Sequence, residues 1–361
     1  MPTPALQPIF DGHNDVLWRL WNAKSRDAER AFVEGGGGGH LDLPRMAAGG
    51  FAGGLFAVYI PSENMGDLDA LMHGKRYDVP LPPPIASAEA LPIALAMIDS
   101  LFRLERASAG KLRVCRSAAE IRAAMKSGSV AAVLHFEGAE AIASDLTGLE
   151  ALYHLGLRSI GPVWSRPTGF GHGVPFRYPA TGDTGPGLTD AGKALVRACD
   201  GLGIAIDLSH MTEKGFWDVA RISSKPLIAT HSNAYAVCPH ARNLSDKQLA
   251  AIAESGGMVG LNFATCFLRP DGQNGSPNDP TSVDLMLRHL DHLIGFLGID
   301  HVGLGSDFDG ASVPEAIGDV AGLPVLVAAL KAHGFDAAVL NKLCCENWLR
   351  TLEKSWQPGR S

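Results

Sequence analysis

Eight short apolar runs punctuate this 361-residue chain, with a helical pattern between most of them. The runs are Gln7–Phe10, Gly54–Ile60, Val130–Phe136, Arg158–Val163, Ile204–Leu208, Leu227–Ala229, Met258–Phe263 and His301–Gly305. Most are rich in Val, Ile, Leu or Ala without strict alternation, as expected for parallel strands buried on both faces. The intervening patterns predict helices over Pro92–Ala107, Ser117–Met125, Leu149–Leu155, Thr189–Leu202, Thr212–Ile222, Ser245–Ser255, Ser282–Leu297 and Asp336–Lys354. Ser117 followed by Glu120 reads as a capping box, Thr212 and Ser245 as N-caps, and Gly156, Gly203 and Gly256 as helix stops. Strand–helix alternation repeated about eight times points to an α/β fold, a (β/α)8 TIM barrel forming one domain over residues 1–361. A doubly wound open sheet fits less well, because polar candidates follow many strands and do not gather at one switch point.

Several connections are long for such a barrel. Gly35–Gly39 is a run of five glycines, and Asp78–Ser87 is rich in proline. The segments Trp164–Gly187 and Arg269–Thr281 follow the fourth and seventh strands. They leave strand C-termini, where barrel active sites lie, so they are candidate lids or specificity loops. The glycine run lacks the GK[ST] ending of a phosphate loop.

Composition narrows the function. The chain is 46% hydrophobic and 19% charged, with net charge −7 and no basic block, which argues against a nucleic-acid partner. No apolar run reaches the ~18 residues of a membrane span. Met1 to Pro8 lacks the charged and apolar regions of a signal peptide, so a cytoplasmic protein is expected. The six cysteines (Cys115, Cys199, Cys238, Cys266, Cys344 and Cys345) contain no CxxC and read as buried thiols.

The chemistry sits at the strand ends. Asp11-Gly12-His13-Asn14-Asp15 closes the first strand, and on an extended backbone His13 and Asp15 would share a face. The third strand ends His135-Phe136-Glu137, the fifth Asp207-Leu208-Ser209-His210, the sixth Thr230-His231, and the eighth Ser306-Asp307-Phe308-Asp309. At one barrel mouth His13, Asp15, Glu137, His210 and His231 would supply three imidazoles and two carboxylates. That set is too large for one tetrahedral ion with an open position and fits two ions sharing a carboxylate.

The order of these motifs, DGHND, FEG, DLSH, THSNAYAVCPHARN and GSDFDG, resembles the membrane dipeptidase (renal dipeptidase) family, peptidase family M19, among the amidohydrolase-like barrels. The resemblance covers nearly the whole chain. It implies a binuclear zinc hydrolase, with two Zn2+ per chain, that cleaves dipeptides by metal-activated hydroxide. Glu137 would bridge the ions, His13 and Asp15 would complete one site, and His210 and His231 the other. Arg242 would hold the substrate carboxylate, and Asp307 would shuttle the proton from water to the leaving amine. The expected partner is a small dipeptide, with a second copy of the chain allowed and no membrane.

One position departs from the family pattern. The fourth strand usually ends in a histidine that contacts the substrate carbonyl, and here Trp164 stands in that place. Its indole offers one N–H and no charge, so it reads either as an oxyanion donor or, preferably, as a pocket wall; His172 in the following loop is another candidate for the missing imidazole. His135 reads as a group behind the ligands, His240 as a turn residue, Asp309 as a structural partner near the strand end, and Asp207 as a turn cap. Two other functions stay open: an amidohydrolase acting on N-acyl or D-amino-acid amides, and a non-catalytic barrel that binds a metal or small ligand.

Overall fold

The computed structural model describes residues 6–62, 68–276 and 278–357. Eight parallel strands carry the fold: β1 (Ile9–Asn14), β2 (Phe51–Tyr59), β3 (Val130–Glu137), β4 (Leu157–Gly161), β5 (Ala205–Ile206), β6 (Ile228–Ala229), β7 (Met258–Asn262) and β8 (Val302–Gly305). All eight apolar runs fall on them. They pair in the order β5-β4-β3-β2-β1-β8-β7-β6. The two ends of that row meet through a parallel bridge between Asp207 and Ile228, where Leu208 N–H donates to Ile228 O at 2.9 Å. The Asp207 carboxylate reinforces this short seam by accepting from Thr230 N–H at 2.9 Å. The fold is therefore the expected TIM barrel. The segment 1–8, read above for a leader, begins in residues that lie outside the described ones. No helix among the described residues is long and apolar enough to cross a membrane.

A ninth strand, Leu112–Val114, was not expected. β4 pairs with only the upper half of β3, from Leu134 to Glu137. The lower edge, Val130 to Ala132, would carry unpaired backbone groups, and Leu112–Val114 covers it.

Alternating side chains fill the barrel in layers. The lowest layer is apolar and includes Phe10, Leu55, Val133, Met258 and Trp348. Trp348 comes from the last helix, Asn347–Ser355, is fully buried, and donates from Nε1 to Leu304 O at 2.8 Å. A Cβ on Gly12 would overlap its indole, and one on Gly303 would stand 2.7 Å from Nε1. Glycines on two neighbouring strands thus leave the space that the ring fills, at packing density where any added methyl must displace something. Above lies a polar layer of His135, Ser159, Asp207 and Thr230, and above that the mouth.

Ser117, Thr212 and Ser245 are the N-cap residues of their helices, as expected, whereas other boundaries differ from the expectation. The helix expected from Pro92 begins at Ser87 and carries Pro92 inside it. Ser117 Oγ accepts from Glu120 N–H at 3.2 Å, but the Glu120 carboxylate accepts from Arg116 N–H, so that capping box is half formed. At Ser245 the reciprocal partner is Gln248, whose Oε1 accepts from Ser245 N–H at 3.0 Å. The tail is not one helix: Ala337–Asn341 and Asn347–Ser355 are joined by a π-helical turn, Lys342–Glu346, that buries Cys344 and Cys345. All six cysteines are buried, and none is joined in a disulfide.

Three long connections are sewn together beside the mouth. Tyr77–Asp78, after β2, pairs antiparallel with Arg177–Tyr178, after β4. The Tyr77 and Tyr178 hydroxyls donate to Gly272 O and Pro270 O, each at 2.5 Å, in the loop after β7.

Candidate active site

The five expected ligands converge. Glu137 Oε1 lies 2.9 Å from His210 Nε2, 3.4 Å from His231 Nε2 and 3.6 Å from His13 Nε2. Asp15 Oδ2 is 3.3 Å from His13 Nε2. The Nε2 atoms of His210 and His231 are 3.0 Å apart. Ligand atoms around a tetrahedral zinc are separated by about 3.3 Å, the spacing that bond lengths near 2.0–2.2 Å require. The donor set of three imidazoles and two carboxylates therefore fits divalent ions of the zinc type.

How His13 and Asp15 meet differs from the simple expectation. The pairing of β1 with β2 slips between Asp11 and Asn14, and Asp15 has left the strand to become the N-cap position of the helix Val16–Asn22. The shared side of the pair comes from this slip and turn, so alternation along an extended strand does not explain it. Asp11 stabilises the turn by accepting from Ser306 N–H at 2.6 Å and Ser306 Oγ–H at 2.8 Å, across to the end of β8.

The polar layer beneath sets the imidazole tautomers. Thr230 Oγ1 lies 2.7 Å from Asp207 Oδ2 and donates to it, since the carboxylate can only accept. The hydroxyl is then left to accept from His231 Nδ1–H at 2.8 Å, which leaves the Nε2 lone pair facing the cluster. His210 Nδ1 pairs with Ser165 Oγ at 2.9 Å and likewise presents Nε2. Burial, with Arg242 and His13 nearby, holds both rings far below the usual histidine range, as neutral bases suited to a metal. For His13 burial also disfavours the cation, but Glu137 and Asp15 outweigh it and raise the ring to about 10. The same carboxylate field would hold a divalent ion. His135 sits below, bonded to Ser159 Oγ at 2.9 Å and 3.6 Å from Asp207 Oδ2.

Asp15, Glu137 and His210 of this cluster line a cavity of about 740 Å3. Trp164, Phe176 and Phe267 form an apolar side of it, while Asp307 and Asp309 line another part. Asp307 has φ +60°, a costly conformation for a residue with a Cβ, and its Oδ2 accepts from Asn262 Nδ2 at 2.9 Å. Burial pushes its carboxyl up to about 6. Asp309 is fixed by Arg19 Nε at 2.9 Å and by His40 N–H at 2.6 Å.

Arg242 is 2% exposed and is not part of the cavity wall. Its guanidinium donates to Ser209 O and, at 3.2 Å, to His231 O, and lies 3.3 Å from His210 Nε2. His240, expected in a turn, is fully buried: its Nδ1 accepts from Arg242 N–H at 3.0 Å and its ring packs 4.6 Å from Phe267. His172 does not line the cavity.

With this geometry stands a match to known proteins. The model of a family described as membrane dipeptidase (peptidase family M19) matches residues 5–358. The chain belongs to the membrane dipeptidase family. A crystal structure of a family M19 metallopeptidase, the dipeptidase AC, is 56% identical with TM-score 0.94, over 98% of this chain and 99% of that one. A metallopeptidase from Rhodobacter sphaeroides, liganded with a phosphinate mimic of the dipeptide L-Ala-D-Ala, is 55% identical with TM-score 0.95, over 98% and 100%. An uncharacterized protein in the pqqA 5' region of Klebsiella pneumoniae is 50% identical over 250 residues, 69% of this chain and 91% of its own. The chain is thus a metallodipeptidase, a hydrolase of peptide bonds.

Within the family frame, Trp164 is a buried aromatic wall. Its ring centroid lies 5.0 Å from that of Tyr59, 5.6 Å from Phe176 and 5.8 Å from His210. Its neighbour Arg166 is fully buried and binds Glu140 at 2.6 Å, tying the end of β4 to the loop after β3. Sequence reasoning missed Asn262, Ser165 and Arg19. Asn262 lies one residue before the end of a predicted strand, near where the expected ligands lie on theirs, and that position is its only signal.

Proposed function

We propose that this member of the membrane dipeptidase family is a binuclear zinc enzyme that hydrolyses the peptide bond of dipeptides. The observation that carries the reading is one carboxylate oxygen, Glu137 Oε1, within 3.6 Å of three imidazole nitrogens at the floor of a small cavity. Glu137 would serve both ions, with His13 and Asp15 at one and His210 and His231 at the other. When bound, the ions supply Lewis acidity and a water acidic enough to ionise near neutral pH.

The chain's own groups do the rest. Asp307, aimed into the cavity by its left-handed turn and steadied by Asn262, takes a proton at its free carboxylate oxygen and returns it to the departing amine. Trp164, Phe176 and Phe267 exclude water and limit the substrate to a small molecule. Arg242 ties together the backbone carbonyls of Ser209 and His231, beside two proposed ligands, and would act on the substrate carboxylate through its charge and not from a place in the cavity wall. Six buried thiols without a disulfide suit a reducing compartment, which supports a cytoplasmic enzyme.

The Rhodobacter sphaeroides relative was liganded with an L-Ala-D-Ala mimic, so an L,D-dipeptide is the first substrate to try. The test is turnover of L-Ala-D-Ala, L-Ala-L-Ala, N-acetylalanine and D-alanine amide by zinc-loaded protein, with metal content measured in parallel. Dipeptide cleavage with about two ions per chain is expected. Cleavage of only the N-acyl or amide compounds would favour the amidohydrolase alternative. Full metal loading with no turnover would favour the binding-protein alternative.

A further inference from the structure

Arg19 is the only arginine or lysine among the described residues that line the cavity, and nothing in the reading above uses it. It lies four residues after Asp15 on the helix Val16–Asn22, so its side chain follows that of Asp15 by about one turn. Its Nε donates to Asp309 Oδ2 at 2.9 Å and its Nη2 to Leu41 O at 2.6 Å. Nη1 carries no hydrogen bond to any described residue. The side chain is 19% exposed, whereas that of Asp309 is fully buried. The cation is therefore anchored from behind and keeps a donor edge at the cavity.

The glycine run passes close against the anchored side of this pair. Gly39 has φ +75°, and a Cβ there would overlap Asp309 Oδ1 and the Arg19 side chain. Only glycine lets this connection cross so close to the guanidinium. Asp309, two residues after Asp307, is also bound by His40 N–H and donates its own N–H to His40 Nδ1 at 2.9 Å. A Cβ on Gly310 would crowd both Asp15 and Asp307. Arg19 and Asp309 thus line the same cavity as Asp15 and Asp307, and Gly310, next in the chain to Asp309, packs against both of those carboxylates.

We propose that Arg19 is a carboxylate-binding subsite of this cavity, which reads an acidic side chain of the dipeptide. The inference rests on the dipeptidase reading above. An anchored guanidinium with a free edge matches a carboxylate in charge and in planar geometry. The same chemistry is offered by the substrate's terminal carboxylate, and the experiment separates the two sources.

The experiment compares kcat/KM for Ala-Glu, Glu-Ala, Ala-Gln, Gln-Ala, Ala-Ala and Ala-Ala amide, in the stereochemical series the enzyme accepts. The proteins are wild type, Arg19→Lys, and the double variant Arg19→Gln with Asp309→Asn, which avoids leaving a buried carboxylate unpaired. The double variant should lose about 10- to 100-fold on a glutamyl substrate and little on its glutaminyl counterpart, the scale of one charge-assisted hydrogen bond. Arg19→Lys should retain part of the preference. Loss on every free-acid dipeptide with the amide spared would place the terminal carboxylate at Arg19, which keeps the subsite and changes its occupant. Equal effects on all six substrates, or none, would overturn the proposal. If wild type cleaves no dipeptide, the functional reading fails by itself; calorimetric binding of Glu-Ala and Gln-Ala to the same zinc-loaded proteins then judges Arg19 alone, with equal affinities overturning it.

Discussion

Asn262 Nδ2 donates to Asp307 Oδ2 at 2.9 Å, on a carboxylate that faces the cavity from a left-handed turn. Burial raises Asp307 to about 6, and the Asn262 bond opposes that rise by favouring the charged form. Asn262→Ala should therefore raise the pKa further. If the ionised carboxylate is the working form, the acid limb of kcat/KM should move to higher pH. A pH–rate profile checks this, and a shift to lower pH would reverse the assignment.

Asp307→Asn keeps the shape and removes the base. We expect kcat to fall by about 10²- to 10⁴-fold with both metals retained, the usual size of a general acid–base contribution. Near-wild-type turnover at full occupancy would remove Asp307 from the mechanism.

Glu137 is the shared ligand of the proposal, so Glu137→Ala should lower metal content at both positions. Elemental analysis after gel filtration measures it, and two tightly held ions in the variant would exclude the bridge. Chelation of the wild type should also lower its melting temperature, because ions that bind only the folded state stabilise it.

Trp164→Phe separates a donor from a wall. The indole sits among Tyr59, Phe176 and His210 as part of an aromatic side of the cavity. Phe preserves most of that packing, so we expect less than about a tenfold loss in kcat, with any change shared with KM. A loss beyond about a hundredfold at unchanged KM would show that the N–H stabilises the transition state.

Arg242→Met tests whether a buried guanidinium serves substrate or scaffold. A carboxylate role predicts a large loss on dipeptides and a small one on dipeptide amides. A scaffold role, through Ser209 O and His231 O, predicts equal losses and reduced metal content.

Much of this was legible in the sequence because ligands and strands announce themselves together. His210 and His231 each follow a short apolar run, and Glu137 ends a third, so position on a barrel implied convergence before any distance was known. The supporting groups gave no such signal. Ser165 and Thr230 are common residue types whose importance lies in which imidazole nitrogen they meet. The Arg19–Asp309 pair joins positions 290 residues apart, a separation local patterns do not carry. The Leu112–Val114 strand was hidden because it is three residues long and exists to cover an edge left by β4. His13 and Asp15 were paired correctly for an incomplete reason, since a register slip and a helix start, invisible to alternation, bring them together.

Trp348 gives the barrel a chronology. Its indole fills space reserved by Gly12, so the floor beneath the first strand is made by residues near the opposite end of the chain. A chain still being synthesised would lack that filling residue until the helix Asn347–Ser355 is made. Contacts of such sequence separation are slow to form and expose apolar surface meanwhile. A chain halted shortly before Asn347 would carry every proposed metal ligand and still lack the plug on which the ring of strands closes.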